Sequence, residues 1–290
     1  DALGLDDEVF LSFLPLSHAY EHTAGLMFPV SLGAQIYFAE RIDTLVTNLP
    51  EARPTIMTAV PRLYEVMRER ILKSVARERR VKRWLFWKAV ELGGKRYEGA
   101  ELVLWERLLD GLADRLVRET FRRRFGGRLK ALVSGGAPLN YQVGLFFTAL
   151  GLRLLQGYGQ TEAGPVISVN RVERNKLSTV GPPMKNLVRG PLLMDGYWNH
   201  PDLNAEVLRD GWLHTGDIGV LDDDGYLQIT DRKKDIIVNS AGETLSPQRI
   251  ESVLALEPEI ESAMVHGDRR PHVVAIIVPA GEFAAHWARQ

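Results

Sequence analysis

Four short stretches of the chain are almost continuously apolar, and proline or glycine stands at or just after the end of each. They are Val9–Leu16, Pro54–Val60, Leu129–Val133 and Leu152–Gln156. A strand that is covered on both faces has no polar face to show in its sequence, so such runs are typical of buried parallel strands. A further strand, Ala34–Phe38, is predicted after a helix and a turn at Gly33.

Between the second and third of these stretches the period changes. From Arg62 to Arg124 apolar residues recur every three or four positions, most regularly over Leu102–Val117, which is the pattern of an amphipathic helix. Another helix is predicted over Tyr141–Leu150, between the last two strands. Strand, helix and strand with glycines at the strand ends form a βαβ unit, which in α/β proteins places ligands at the carboxyl ends of the strands.

From Gly190 onward the elements become shorter and turns more frequent. Asp-Gly pairs, which are typical of hairpins, occur at Asp195, Asp210 and Asp224. A polar run, Asp231–Asp235, separates two apolar strands and is a candidate linker, and a helix beginning at Ser246 and a strand at Val273–Val278 follow. The predicted fold class is α/β, with βαβ layers, a small antiparallel β subdomain and an α+β C-terminal region.

Composition narrows the class of protein. Among 290 residues, 36 are basic and 37 are acidic, and this balance argues against nucleic-acid binding by the whole surface. The chain has no cysteine, which excludes disulfides, cysteine-ligated metals and a catalytic thiol, and which fits a reducing, cytoplasmic location. No apolar run approaches the roughly 18 residues of a membrane-spanning helix, and the first residues do not have the pattern of a signal peptide.

The segment Tyr158–Glu162 is the first candidate for chemistry. It follows a predicted strand directly, so its glycine turn exposes backbone N–H groups and Thr161 adds a hydroxyl, and both suit a phosphate. Glu162 offers a carboxylate to a magnesium ion that takes its other ligands from phosphates and water. The alternative is a helix N-terminus in which Thr161 is the cap and Glu162 interacts with the helix dipole.

Two further turns are candidates for nucleotide contacts. Ser134–Pro138 follows the preceding strand, and its glycines could lie against a planar base, although the same sequence also suits an ordinary turn. Asp217, at the end of the tetrapeptide His214–Asp217, is a candidate acceptor for ribose hydroxyls, with an Asx-turn as the alternative.

Three other features carry weaker signals. Asp222–Gly225 lacks the ligand spacing of a calcium loop and is interpreted as a hairpin turn. His18 and His22 stand four residues apart, but no third metal ligand is evident, so we expect them to flank a pocket. The basic tract Arg68–Lys88 with its two tryptophans predicts peripheral contact with the inner face of the membrane. A solvated helix face with both tryptophans in the core is the alternative, and nucleic acid is a weaker third.

Taken in order along nearly the whole chain, these segments resemble the adenylate-forming superfamily of acyl-CoA synthetases, firefly luciferases and peptide-synthetase adenylation domains. The resemblance rests on Leu14–His18, Val60–Glu65, Ser134–Leu139, Gln156–Glu162, Gly196–Asn199, Gly211–Asp217, Asp231–Asp235 and Ser240–Glu243. The tyrosine–glycine–x–threonine–glutamate and threonine–glycine–aspartate elements are the most specific. The segment Val60–Glu65 looks like the AMP-forming long-chain fatty acyl-CoA synthetase branch.

The resemblance implies where a nucleotide and an acyl group would bind. Gly135, Gly136 and Ala137 would line the adenine and acyl pocket. Tyr158, followed by Gly159, would stack on the adenine.

For the reacting groups, the resemblance implies a catalytic set of Thr161, Glu162 and His18. Thr161 would contact the α-phosphate of ATP, Glu162 would ligate magnesium, and His18 would sit beside the acyl carboxylate. Asp217 and Arg232 would hold the ribose hydroxyls.

The implied activity is that of a long-chain fatty acid–CoA ligase. A fatty carboxylate attacks ATP to give acyl-AMP and pyrophosphate, and coenzyme A then takes the acyl group and releases AMP. Lys234 would be the hinge for this second step, which would bring Ser240–Glu243, with Gly242, to the site. Neither step needs a protein nucleophile, in agreement with the absence of cysteine. A ligase for an aryl or a short- or medium-chain acid is one alternative, and a nucleotide-binding fragment that is incomplete for catalysis is another.

Two family elements are absent from the chain, namely a phosphate loop that should precede Asp1 and a catalytic lysine near the C-terminus. The segment Lys185–Gly190 also looks shorter than in the family. We expect these departures to reflect a longer native protein rather than a degenerate copy. The implied domains are residues 1–230, the C-terminal part of the large domain, with a small β subdomain at about 186–230, a hinge at 231–235, and a partial C-terminal domain at 236–290.

Overall fold

The computed structural model describes residues 6–41, 44–184 and 189–287. The chain forms two compact units. The large unit contains Asp1–His214 with Asp223–Leu227, and the small unit contains Thr215–Asp222 with Gln228–Gln290. The predicted shortening of 185–190, like the start of the predicted β subdomain, falls on residues 185–188, which lie outside the described residues.

A six-stranded sheet in the order β2-β1-β3-β4-β5-β6 forms the centre of the large unit. Its strands are β1 (Val9–Ser12), β2 (Gln35–Phe38), β3 (Ile56–Ala59), β4 (Ala131–Ser134), β5 (Leu154–Gly159) and β6 (Val166–Val169). Neighbouring strands are parallel except for β5 and β6, which are antiparallel. All residues of β1 and β3 are buried, so the prediction of buried parallel strands from continuous apolar runs is confirmed.

Helices alternate with these strands along the chain. They are α1 (Ala19–Glu21), α2 (Phe28–Ser31), α3 (Leu45–Ala52), α4 (Pro61–Ala76), α5 (Arg80–Tyr97), α6 (Leu104–Ala113), α7 (Glu119–Arg124), α8 (Tyr141–Ala149) and α9 (Pro201–Val207). A π-helical turn joins α1 to α2 over His22–Met27, and another joins α6 to α7 over Asp114–Arg118. The predicted unit of strand, helix and strand is confirmed as β4, α8 and β5.

Hairpins form at two of the three predicted Asp-Gly pairs. Asp210 and Gly211, both with positive φ, connect β7 (Leu208–Arg209) to β8 (Trp212–Leu213). The turn at Asp224 lies between β9 (Asp217–Leu221) and β10 (Leu227–Arg232). The hairpin predicted at Asp195 is wrong, because residues 189–200 contain no strand; the Asn204 side chain lies beside Gly196 instead, and its Oδ1 accepts a hydrogen bond of 2.6 Å from the Tyr197 amide.

Beyond β9 and β10, the small unit contains short antiparallel pairs and two helices. These elements are β11 (Ile237–Val238), β12 (Thr244–Leu245), α10 (Pro247–Leu254), β13 (Ile260–His266), β14 (Val274–Pro279) and α11 (Gly281–Trp287). The predicted start of α10 is confirmed, since the Ser246 Oγ accepts a hydrogen bond from the Arg249 amide at 3.2 Å. None of the described helices is both long and apolar enough to cross a bilayer.

Candidate functional site

Two of the predicted motifs stand at the same edge of the large sheet. Because β1, β3, β4 and β5 are parallel, their last residues lie at one edge, which in open α/β sheets is where ligands bind. These last residues are Ser12, Ala59, Ser134 and Gly159. β4 and β5 are neighbours, with Ser134 opposite Gln156, so the turn at 135–137 and the segment at 158–162 leave adjacent strands.

The turn after β4 presents a flat backbone surface. Gly135 is buried, and its amide donates a hydrogen bond of 3.0 Å to the Ala59 carbonyl. A Cβ on Gly135 would lie 3.1 Å from the ring of Tyr20, so this ring occupies the side-chain space of the glycine. Gly136 has a φ of +81° and is exposed, as is Ala137. The turn therefore leaves its last two residues open toward the edge.

Close backbone packing explains the glycine at position 159. β5 and β6 pair with an irregularity between Tyr158 and Gly159, and a Cβ on Gly159 would lie only 1.7 Å from the Pro165 carbonyl oxygen. Tyr158 is half-buried and packs against a small cluster of Ala163, Ile167 and Leu213. Gly159 thus has a steric role in the fold besides the nucleotide contact that the resemblance implies.

After β5, the chain forms a single 3₁₀ turn, Thr161–Ala163. Gln160 occupies the position before this turn and makes no side-chain cap, and Gly164 ends the turn with a positive φ. The alternative in which Thr161 caps a helix is therefore wrong, because no helix continues beyond this one turn. Thr161 is exposed and Glu162 is half-buried.

Glu162 is held by the loop that follows residue 190. The Tyr197 hydroxyl donates a hydrogen bond of 2.8 Å to Glu162 Oε1, and the Met194 amide donates one of 2.9 Å to the Glu162 carbonyl. The hydrogen bond to this carboxylate raises the pKa of Tyr197 above its ordinary value of 10.0, and desolvation adds to the shift. Tyr197 lies 35 residues from Glu162 in the chain, and no pattern in the sequence indicated the pairing.

His18 follows β1 at the same edge and begins the next helix. Its Nδ1 accepts a hydrogen bond of 3.2 Å from the Tyr20 amide, so the imidazole caps α1 while its side chain remains exposed. The Tyr20 hydroxyl donates to the Val133 carbonyl at 3.1 Å, in the strand that leads to the glycine turn. The place of His18 beside an acyl carboxylate stays a prediction.

Sequence reasoning missed a buried carboxyl beneath this edge. Glu21 is fully buried, and it accepts hydrogen bonds from the Ser12 hydroxyl at 2.5 Å and the Thr58 hydroxyl at 2.8 Å. Burial raises the pKa of Glu21 above its ordinary value of 4.5, although both hydroxyls oppose the shift. A Cβ at Gly25 would lie 2.5 Å from Glu21 Oε1, so the carboxyl fills the space that this glycine leaves.

Within the small unit, the two residues expected to hold a ribose form an ion pair. Arg232 Nε lies 3.2 Å from Asp217 Oδ1, and the Asp217 side chain is 4% exposed whereas that of Arg232 is 62% exposed. The Asp217 amide donates to the Thr215 hydroxyl at 3.2 Å. A carboxylate beside an exposed guanidinium can accept hydrogen bonds from vicinal hydroxyls. The convergence of these residues with Glu162 on one nucleotide stays a prediction.

The remaining residues of the implied site are exposed and lie in turns of the small unit. Lys234 is part of the turn that follows β10, and Gly242 has a φ of +83° in the turn between β11 and β12. The Gly242 amide donates a hydrogen bond of 3.0 Å to the Asn239 carbonyl. Their roles as hinge and as part of the coenzyme A site stay predictions.

In the large unit, the candidate ligand for a magnesium ion is the Glu162 carboxylate. Within residues 6–41, 44–184 and 189–287, no group of three or more His, Asp or Glu side chains could hold a metal ion. Mg²⁺ usually keeps several waters and binds substrate phosphates with only one or two carboxylates. A half-buried carboxylate with one oxygen fixed by Tyr197, as at Glu162, fits that requirement.

Residues 1–189 match the family described as AMP-binding enzyme, and residues 234–289 match the AMP-binding enzyme C-terminal domain. The chain is 32% identical over 299 residues to the long-chain-fatty-acid–CoA ligase FadD15 of Mycobacterium bovis, covering 98% of this chain and 49% of that protein. It is 34% identical to the long-chain-fatty-acid–CoA ligase 1 of Homo sapiens, covering 98% of this chain and 43% of that protein. The chain thus spans about half the length of these curated relatives.

Solved structures with the same fold include two adenylate-forming proteins. The adenylation domain of a carboxylic acid reductase from Segniliparus rugosus, in complex with AMP, has a TM-score of 0.69 at 24% identity and covers 100% of this chain and 46% of its own. O-succinylbenzoate coenzyme A synthetase from Bacillus subtilis, in complex with ATP and magnesium, has a TM-score of 0.66 at 22% identity and covers 98% of this chain and 55% of its own. At these identities the likeness shows the fold.

Proposed function

The chain belongs to the AMP-binding enzyme family, and from this premise we propose that it activates a long-chain fatty acid with ATP and transfers the acyl group to coenzyme A. The products would be fatty acyl-CoA, AMP and pyrophosphate. One observation carries the proposal: the turn at 135–137 and the segment at 158–162 leave neighbouring strands at the carboxyl edge of the sheet. The names of the relatives, long-chain-fatty-acid–CoA ligases, support the choice of acid.

In the first half-reaction, a carboxylate oxygen attacks the α-phosphorus of ATP and pyrophosphate leaves. Gly136 and Ala137, which are exposed, would provide a flat surface for the adenine. Tyr158, in the neighbouring strand, would stack on the same base. The Thr161 hydroxyl would donate a hydrogen bond to the α-phosphate. Because no protein nucleophile takes part, catalysis depends on positioning and on stabilisation of charge at phosphorus.

Glu162 would hold a magnesium ion that neutralises part of the negative charge on the phosphates. Tyr197 restricts the carboxylate by its hydrogen bond of 2.8 Å to Oε1, so the second oxygen has a defined direction. Glu21 lies at the same edge, and burial raises its pKa above the ordinary value of 4.5.

In the second half-reaction, the sulfur of coenzyme A attacks the acyl carbon and AMP leaves, while the thiol proton passes to solvent. Asp217 and Arg232 would hold the ribose hydroxyls, and rotation near Lys234 would bring Gly242 to the thiol. A cytoplasmic location accords with a chain that contains no cysteine.

The experiment is ATP–pyrophosphate exchange by the purified protein, in the longest form that its gene encodes, with palmitate, octanoate or benzoate as the acid. We expect the fastest exchange with palmitate. The variant Glu162→Gln should lose at least about 100-fold in exchange rate, since it removes a charged ligand from the phosphates. Tyr197→Phe should lose less because the carboxylate remains, and Glu173→Gln, at an exposed position, is the matched control.

Each alternative has its own outcome. Fastest exchange with benzoate or octanoate would replace the long-chain acid by an aryl or shorter one. Binding of AMP without exchange for any acid would identify a nucleotide-binding protein instead of a ligase. An unchanged rate in Glu162→Gln would remove the metal role of this residue.

A further inference from the structure

The helix α6 is placed with its polar side inward. Glu106 and Asp110 are buried, whereas leucines at four-residue intervals are exposed. These leucines are Leu104 and Leu108, each 79% exposed, Leu112, 48% exposed, and Leu116, 54% exposed, in the π turn that follows. We call them the leucine face. In a globular protein the apolar stripe of such a helix normally faces the core, so this face requires an explanation.

Ion pairs hold the helix in this orientation. Lys95 Nζ lies 2.7 Å from Glu106 Oε1, and Arg96 lies 3.0 Å from Asp110. Arg118, which is 3% exposed, contacts Asp110 Oδ1 at 2.6 Å and donates to the carbonyls of Ala89 and Ala149. Turning the leucines inward would break all of these bonds at once. The exposure of the leucine face is therefore a built feature of the large unit.

The charges beside the leucine face are basic. Arg107 and Arg115 are exposed on the same side of the helix, and neither forms an ion pair within the described part of the chain. By contrast, the carboxylates of Asp114 and Glu119 both pair with Arg122. An approaching surface would therefore meet leucine side chains bordered by positive charge.

We propose that the leucine face binds the surface of an anionic lipid bilayer. An amphipathic helix with arginines beside a stripe of leucine and tryptophan is the pattern of a helix that lies in a membrane interface. Trp105, on the same face, is 59% exposed and suits the headgroup level. A second copy of the chain fits less well, because a two-fold contact through this face would bring the arginines of the two copies together.

The neighbouring helix α5 extends the same surface chemistry. Trp84 and Trp87, in the basic tract predicted to contact a membrane, are 51% and 48% exposed, so the alternative that places both in the core is wrong. The buried aromatic residue of this stretch is Phe86. The leucine face nevertheless supplies the larger apolar area, which moves the centre of the proposed contact to α6.

The test measures co-sedimentation of the protein, in the longest form that its gene encodes, with vesicles of POPC or of POPC containing about one-third POPG. Binding to the anionic vesicles should weaken as salt is added. The double variant L108Q/L112Q should lower the partition coefficient at least about tenfold, since it removes two exposed leucines that would enter the bilayer interface. R107Q/R115Q should lower it about tenfold on anionic vesicles only. The double variant L203Q/L221Q, at two other exposed leucines, is the matched control and should bind normally.

Several results would overturn the proposal. Equal binding by L108Q/L112Q and by the control would remove the leucine face as the contact. A dimer that dissociates in L108Q/L112Q would identify a second copy as the occupant. A lower melting temperature in L108Q/L112Q would show that another part of the protein covers the face. Because vesicle binding is measured without ATP or fatty acid, failure here leaves the proposed ligase function standing.

Discussion

Carboxyl groups are buried in two regions of the large unit, and their pKa values shift in opposite directions. At the sheet edge, Glu21 accepts hydrogen bonds from the hydroxyls of Ser12 and Thr58 and from backbone amides at 13 and 14 but has no cation partner among the described residues, and burial raises its pKa. The second region consists of the helices α5 to α8, which we call the helical layer. There Lys95 donates a hydrogen bond to Glu106, and this bond lowers the pKa of Glu106. A buried acid with hydroxyl partners therefore favours its neutral form, whereas one with a cation partner stays charged.

The difference has a consequence for each region. At the sheet edge, the Glu21 carboxyl anchors α1 to β1 and β3 through its hydrogen bonds with the Ser12 and Thr58 hydroxyls. Charged pairs, by contrast, fix the orientation of α6 so firmly that its leucines point outward. Substitutions in each of these two environments should show how much of the free energy of unfolding depends on it.

The largest effect is expected at Arg118, whose buried guanidinium contacts Asp110 and the carbonyls of Ala89 and Ala149. Arg118→Met would leave Asp110 with only Arg96, and the carbonyls of Ala89 and Ala149 without their donor. Breaking a buried pair from one side costs about 3–5 kcal/mol, so the free energy of unfolding in urea should fall by that amount.

The control for this prediction is Arg123→Met. Arg123 is 77% exposed and pairs with Glu119 on the surface, where such pairs contribute less than about 1 kcal/mol. Adding Asp110→Leu to Arg118→Met should restore part of the loss, because the buried charge is then gone. Equal losses in Arg118→Met and Arg123→Met would contradict the view that the pairs hold α6 in place.

At the sheet edge, the next largest effect should come from Gly25→Ala. The new methyl group would lie 2.5 Å from Glu21 Oε1, and the Glu21 carboxyl is held by hydrogen bonds to two strands. Overpacking of this kind costs about 1–3 kcal/mol of unfolding free energy. Combined with Glu21→Ala, which creates space, the loss should be smaller than the sum of the single losses. If the two losses of unfolding free energy were strictly additive, the methyl group at position 25 and the Glu21 side chain would not compete for the same space.

The pH dependence of stability should have opposite signs at the two acids. Glu21 has a raised pKa, so its contribution is present below the ordinary value of 4.5 and is lost as the pH rises through the folded pKa. Glu106 has a lowered pKa, so its contribution is present above 4.5 and is lost as the pH falls through the folded pKa.

The measurement compares Glu21→Gln and Glu106→Gln with the native chain over a series of pH values. From pH 4.5 upward, the unfolding free energy of Glu21→Gln should improve relative to the native chain. Below pH 4.5, the disadvantage of Glu106→Gln should shrink. If the difference in unfolding free energy from the native chain changed with pH in the same direction for both variants, the two carboxyls would not have opposite pKa shifts.

Much of the sheet could be predicted from sequence, because a strand buried on both faces has a distinct local signature. Phe10, Met57 and Leu132 are all buried in runs that were apolar at every or nearly every position. The antiparallel strand β6 has no such signature, since Val166–Val169 is short and includes a serine. Local composition therefore predicted the interior strands and the edge strand β2 but left out the other edge strand, β6.

The site was predictable only where its parts are local in sequence. The turns after β4 and β5 could be assigned to one edge because parallel neighbouring strands must end together. No local pattern marks Glu21 as buried, and one of its hydrogen-bond partners, Thr58, is 37 positions away. Likewise, a helical period in Leu102–Val117 reveals two faces, but it does not tell which face is inside when partners such as Lys95 can bury the charged one.

The smallest predicted effect is that of a substitution at a second glycine, Gly111, in the helical layer. Gly111 lies in α6 with nothing within 4 Å of its Cβ position, whereas Gly25 has a carboxyl there. Gly111→Ala should therefore raise the unfolding free energy by about 0.5–1 kcal/mol, since alanine loses less backbone entropy in a helix.

The same substitution should thus stabilise one region and destabilise the other, because, of these two glycines, only Gly25 has a carboxyl in the space beside it. Gly111→Ala leaves Leu108 and Leu112 unchanged, so it should also leave vesicle binding unchanged. A loss of stability in Gly111→Ala would mean that this face of α6 is packed against something, and it would count against an exposed leucine face as directly as a failure to bind lipid.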